Sequence, residues 1–260
     1  MQNKKDKKIR ALKALIFDMD GVITQTAKTH KAAWKKMFDG YLKKREKKHG
    51  EPFKEFTQKD YLEYVDGKPR YDGVASFLQS RNIQIPWGSP EDATGKETVC
   101  GLGNQKNEAF MEVLKNEGAD TYPSTVELIE ELFRAGIKLG VASSSKNCKA
   151  VLQAVNLEKY FGARVDGVVS AELGLNGKPE PDIFTKACEI LGSTPENSII
   201  VEDAVSGVQA GAKGNFGLTL GVAREDNTED LRKNGADVVV EDLEEIHGLA
   251  GLNKLFKENQ

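Results

Sequence analysis

Short apolar runs recur along this chain, and most are followed by apolar residues at helical spacing. The first, Ala14-Leu15-Ile16-Phe17, carries no charge and reads as a strand buried on both faces. Further strands are predicted near 137–142, 165–169, 198–201, 218–222 and 237–240. Helical patterning falls near 124–135, 147–156, 181–191, 204–213 and 227–234. Such alternation means βαβ units and a parallel sheet. The opening strand must join that sheet, because alone it has nothing to bury its faces against. Between residues 27 and 48, Ala27, His30, Ala33, Trp34, Met37, Phe38 and Tyr41 fall at helical spacing. Helical patterning continues to about residue 114, with Gly67-Lys68-Pro69 breaking it once. Residues 83–103, rich in proline and glycine, read as a long loop. The expected fold class is therefore α/β. A Rossmann-like parallel sheet core is built from residues 9–24 and 121–248, with an inserted helical cap over 25–120 and tails at 1–8 and 249–260.

Composition narrows the picture without redirecting it. The 260 residues are 39% hydrophobic and 30% charged, a water-soluble profile, with a formal net charge of −3. That balance points away from nucleic acid and anionic membranes as partners. No apolar run approaches the roughly 18 residues a bilayer demands, and the basic start has no signal-peptide pattern. Cys100, Cys148 and Cys188 are odd in number and lack metal-ligand spacing, which fits a reducing cytoplasm. The Lys43–Lys48 run reads as a solvated helix end.

Candidate chemistry sits at the strand ends, where open α/β sheets place ligands. The first strand runs into Asp18-Met19-Asp20-Gly21, two carboxylates and a turn. The second ends in Ser143-Ser144-Ser145-Lys146-Asn147, hydroxyls and amides that suit a phosphate oxygen or an ordinary helix cap. Lys178-Pro179 occupies a turn before a helix, where a lysine is commonly at the surface. The strand at 198–201 closes on Glu202-Asp203, two acids that suit either capping or Mg²⁺. Each signal is weak alone, but their order along the chain is specific.

With those four motifs in that order, the sequence resembles the haloacid dehalogenase-type phosphotransferases over about residues 12–245. It is most similar to their beta-phosphoglucomutase-like branch. The resemblance implies that Asp18 attacks phosphorus and forms an aspartyl-phosphate, and that Asp20 exchanges protons with the leaving and attacking oxygens. Lys178 and Ser143 would neutralise and hold the transferring group. Mg²⁺ is the expected cofactor, at Asp18, Asp20, Glu202 and Asp203. Thr24 and Thr26 match the branch's hinge between core and cap, and His30 matches a cap histidine that couples closure to Asp20. Arg70, Lys106 and Asn107 match positions that hold the distal phosphate, while Ser144, Ser145, Lys146 and Asn147 would contact substrate. Gln25 and Tyr71 depart from the branch, standing where acids are common.

The resemblance implies a beta-phosphoglucomutase that interconverts beta-glucose 1-phosphate and glucose 6-phosphate, expected to be a cytoplasmic monomer. The alternative is a small-molecule phosphatase using the same residues with water as acceptor. A non-catalytic sugar-phosphate sensor would be expected to have lost Asp18, Asp20 or Lys178, and all are present.

Overall fold

The computed structural model describes residues 10–50, 52–224 and 226–260. The expected tail at 1–8 lies outside them. Six parallel strands form one sheet in the order β3-β2-β1-β4-β5-β6. They are β1 (Ala14–Phe17), β2 (Lys138–Ala142), β3 (Ala163–Val165), β4 (Ser198–Glu202), β5 (Leu218–Val222) and β6 (Val238–Val240). Phe17 lies level with Val141 of β2 on one side and Val201 of β4 on the other. The order therefore reverses across β1, which opens a crevice beyond the carboxyl ends of β1, β2 and β4.

Alternation along β1 divides the core. Leu15 and Phe17 join the apolar cluster on one face, packed with Leu128, Val151 and Leu252. Ala14 and Ile16 join the opposite cluster with Ile183, Phe184 and Ala187. Helices α1 (Thr26–His49), α2 (Gln58–Tyr64), α3 (Arg70–Ser80) and α4 (Val99–Glu117) lie between β1 and β2 in sequence. They have an aromatic core of their own: Phe38 packs 4.1 Å from Phe77 and 5.3 Å from Trp34, ring centre to ring centre. Ala33, Phe110 and Leu114 of this insertion join the cluster that contains Leu15 and Phe17.

Around the sheet stand α5 (Pro123–Arg134), α6 (Cys148–Ala154), α7 (Gly167–Leu173), α8 (Asp182–Leu191), α9 (Val205–Lys213), α10 (Thr228–Lys233) and α11 (Gly248–Glu258). Among the described residues no helix is long and apolar enough to cross a membrane.

Three expectations are corrected. The strand predicted at 165–169 stops at Val165, because the Asp166 carboxylate accepts from the amides of Val168 and Val169 and starts α7. The loop predicted at 83–103 ends early. The Thr98 hydroxyl accepts from the Gly101 amide and caps α4, so Gly101-Leu102-Gly103 is helical. Gly103 is needed there for close packing, since a Cβ would stand 2.7 Å from the Tyr71 ring. Finally, 249–260 is not a tail: α11 buries Leu252 and Phe256 against the sheet. Its moderate apolar content concealed one buried stripe. Phe256→Ala should lower stability by about 3–5 kcal/mol; a urea-unfolding midpoint indistinguishable from wild type would refute that docking.

Candidate functional site

Ladder hydrogen bonding continues past β1. The Asp18 amide donates to the Val201 carbonyl at 2.9 Å, which holds Asp18 at the sheet's edge beside β4. Gly21 then turns the chain with φ of 92°, a conformation that favours glycine. No Cβ fits there in any case, because the Asp203 carboxylate occupies that space. Gly207 likewise leaves room for the carboxylate of Glu202.

Lys178, just before a cis Lys178–Pro179 bond, is fully enclosed. Its ammonium donates to Asp18 Oδ1 at 2.5 Å and to Glu202 Oε1. Glu202 uses its other oxygen to accept from the Ala204 amide at 2.8 Å. Ser143 follows β2 with its amide on the Val165 carbonyl, and its hydroxyl accepts from the Ser145 amide. The serine loop is thereby fixed by the sheet rather than hanging from it.

Asp20 faces the helical insertion. Thr26 donates to Asp20 Oδ1, and His30 Nε2 stands 3.4 Å from the same oxygen, long for a direct hydrogen bond. Lys106 contacts His30 Nδ1, which leaves the ring proton of a neutral imidazole on Nε2, toward Asp20. The Lys106 ammonium also lies about 5 Å from the ring centres of Trp34 and Phe110. Arg70 donates to Asn107 Oδ1 at 2.7 Å, and Asn147 from the core donates to the same oxygen at 2.8 Å. Ser144 donates to the Gly67 carbonyl at 2.8 Å. Core and insertion thus meet through polar contacts around one cavity.

The charges around this cavity are unevenly tuned. Burial pushes the Asp18 carboxyl well above the usual carboxylate range; Lys178 opposes this, while Glu202 and Asp20 add to it. Asp203 is raised well above that range by burial, then by Glu202, Asp66 and Asp18. Burial also acts to raise Asp20, but His30, Thr26 and Lys106 outweigh it and hold that group below its ordinary value. Lys178 is held above the ordinary lysine range: burial acts to lower it, and the two carboxylates beside it prevail. Lys106 is brought down to about 7 by burial and by Arg70.

The cavity brings together Asp18, Asp20, His30, Arg70, Lys106, Ser143, Ser144, Ser145, Lys146, Asn147, Lys178, Glu202 and Asp203. Thr26 and Asn107 stand one hydrogen bond behind its wall. Sequence reasoning missed Trp34, Tyr61, Val65, Asp66, Gly67, Lys68 and Ala204, which also line it. Gly67-Lys68 was visible only as a chain break, and Trp34 only as a core aromatic.

The model of the haloacid dehalogenase-like hydrolases matches residues 12–215. The chain belongs to this family. Within it, a beta-phosphoglucomutase of Mycobacterium bovis is 46% identical over 90% of this chain and 91% of its own length. A phosphorylated carbohydrates phosphatase of Thermotoga maritima is 28% identical over 90% of this chain and 96% of its own. The crystal structure of a beta-phosphoglucomutase from Clostridium difficile superposes with a TM-score of 0.74 at 26% identity, covering 95% of this chain and 98% of that one.

Haloacid dehalogenase-family phosphotransferases generally use Mg²⁺. The carboxylates alone do not supply a full set of ligands: among the described residues no three His, Cys, Asp or Glu side chains converge as a metal cluster. The donor set nonetheless fits a hard cation. Asp18 is buried, and its charge, with those of Glu202 and Asp66, raises the proton affinity of Asp203, a repulsion that a divalent ion relieves. A hard ion of this kind takes its remaining oxygens from backbone, water and substrate phosphate.

Proposed function

We propose that this chain is a beta-phosphoglucomutase, carrying a phosphoryl group between the 1- and 6-oxygens of glucose by way of Asp18. The observation that carries this reading is the division of labour between two neighbouring aspartates. Asp18 is paired with an enclosed lysine, whereas Asp20 is turned to the Thr26–His30–Lys106 group of the insertion. One carboxylate suits attack on phosphorus, and the other suits proton exchange tied to closure.

In the first half-reaction Asp18 Oδ takes the phosphoryl group from a bisphosphorylated glucose, and the P–O bond to the sugar breaks. Asp20, protonated once the charge of the bound phosphates offsets the pull of His30 and Lys106, gives its proton to that leaving oxygen. In the second, Asp20 takes the proton of the attacking sugar hydroxyl, the new P–O bond forms, and Asp18 is released as a carboxylate. Lys178 and Ser143 hold the transferring oxygens, while Glu202 keeps Lys178 in place. Asp18, Asp203 and the Asp20 carbonyl would hold Mg²⁺, which offsets repulsion between carboxylate and phosphate. Arg70, Lys146 and Asn147 suit the distal phosphate, and arginine's planar fork suits it best. Residues 25–120 then act as a cap domain that closes over the substrate. The three cysteines are buried and unpaired, which supports a reducing cytoplasm as its setting.

A second reading, sugar-phosphate phosphatase, is favoured by the Thermotoga relative. Product partition separates the two. Beta-glucose 1-phosphate with Mg²⁺ and catalytic 1,6-bisphosphate should yield glucose 6-phosphate with little free phosphate; free phosphate alone would establish the phosphatase. Arg70→Ala should reduce mutase kcat/KM by about 100-fold, the loss of roughly two charge-assisted hydrogen bonds. Its hydrolysis of a small aryl phosphate should change by less than about threefold. Equal losses on both substrates would remove Arg70 from the distal phosphate.

A further inference from the structure

The motifs that define the site do not include the loop between β5 and α10, yet Arg224 in that loop ties three separate stretches of the chain together, one of them the turn after Asp20. Its Nε donates to the Gly21 carbonyl at 3.1 Å, one residue beyond Asp20. Its guanidinium lies 3.6 Å from the centre of the Tyr122 ring. Its Nη1 is anchored on the Glu241 carbonyl at 3.0 Å and the Asp242 carboxylate at 2.9 Å. In the same loop Asn227 donates to the Asp203 carbonyl at 3.1 Å.

Tyr122 matters because the chain passes twice between core and insertion, and it lies on the return pass. The two passes are zipped together: Tyr122 donates its amide to the Ile23 carbonyl, and Gln25 donates to that of Asp120. The Gly21 amide closes the turn after Asp20 on the Thr24 carbonyl at 2.7 Å. Arg224 is thus bonded to the turn that carries Asp20 and stacked on the pass that returns from the insertion. A planar cation can do both at once, with donors in its plane and a face for the ring. A lysine has one donor centre and no such face.

We propose that Arg224 is a positioning residue. It locks the Asp20 turn and the paired crossings into one rigid hinge base, so that closure of the insertion delivers His30 and Thr26 to a fixed Asp20. This rests on the phosphoryl-transfer reading above, and it adds to that reading a residue outside the cavity wall.

The test uses the full-length protein and an aryl phosphate with Mg²⁺, so it does not depend on a sugar being the acceptor. Arg224→Ala should lower kcat about 30-fold, in line with the roughly 100-fold cost of a 1 Å misplacement, and leave KM within about twofold. Hydrogen exchange should accelerate at least about tenfold at the Gly21, Gln25 and Tyr122 amides while β4 stays protected. Unchanged kcat, unchanged exchange at those amides, or a uniform rise across the whole sheet would each overturn the proposal. If the alanine variant fails to fold, Arg224→Lys serves for the same two readings. Failure of the mutase reading would appear separately, as wild-type aryl phosphate turnover without isomerisation of the sugar phosphate.

Discussion

Asp18→Asn should abolish turnover, by at least about 10⁴-fold, while leaving the fold intact. The size follows from the role: removing a covalent nucleophile leaves only binding and electrostatics, and losses of 10⁴ to 10⁶ are ordinary. The stability effect has the opposite sign. Burial holds the native Asp18 carboxyl above its ordinary range despite Lys178, so its charged form is a net cost in the metal-free protein. A raised carboxyl carries no such cost below its unfolded value of about 3.9, and the cost grows as pH rises through the native value. The thermal midpoint of Asp18→Asn should therefore match wild type near pH 4 and exceed it increasingly toward pH 8. A variant less stable than wild type at pH 8 would contradict the charge assignment, and residual activity above about one part in 10³ would displace Asp18 as nucleophile.

Lys178→Met should damage both properties. Its ammonium bridges Asp18 and Glu202, and all three groups are enclosed. Removing one partner of a buried pair leaves uncompensated charge and costs about 3 kcal/mol or more. Turnover should fall about 10³-fold, because a preorganised cation at the transferring phosphoryl group is lost and Asp18 binds its proton more tightly. Adding Glu202→Gln to Lys178→Met should restore part of the stability and none of the turnover. Such a cycle isolates the pair from general disruption. An additive double variant would mean that Glu202 and Lys178 act independently, against the contacts described.

What could be read from the residues follows from how local each signal is. β1 was visible because four apolar residues precede two acids, and no neighbour is needed to interpret that run. The sheet edge gathered Asp18, Ser143 and Asp203 because parallel strands all end on the same side. Signals that depend on a partner stayed hidden. Gly101 and Gly103 look like loop residues until Tyr71 is seen against one of them. Val168 and Val169 look like a strand until Asp166 captures their amides. Arg224 could not be found from spacing at all, since it lies 203 positions from the Gly21 carbonyl it holds.

The two ends of the insertion are fastened by different means. Beside the crossings, Ala33, Phe110 and Leu114 share apolar burial with the core, which water cannot replace. Across the mouth, the Ser144–Gly67 and Asn147–Asn107 contacts are hydrogen bonds, which water replaces at a net cost of about 1 kcal/mol each. In the proposed cycle, opening would therefore swing the mouth and leave the pivot dry. Such a gate sets a dwell time for whatever lies behind it. In the proposed mutase cycle a half-finished sugar leaves, turns and returns while phosphorylated Asp18 waits, and each swing would admit water that can take the phosphoryl group first. Fidelity then becomes a race between two clocks, reorientation of the sugar and hydrolysis of the acyl phosphate, with the polar contacts across the mouth setting the pace of the first.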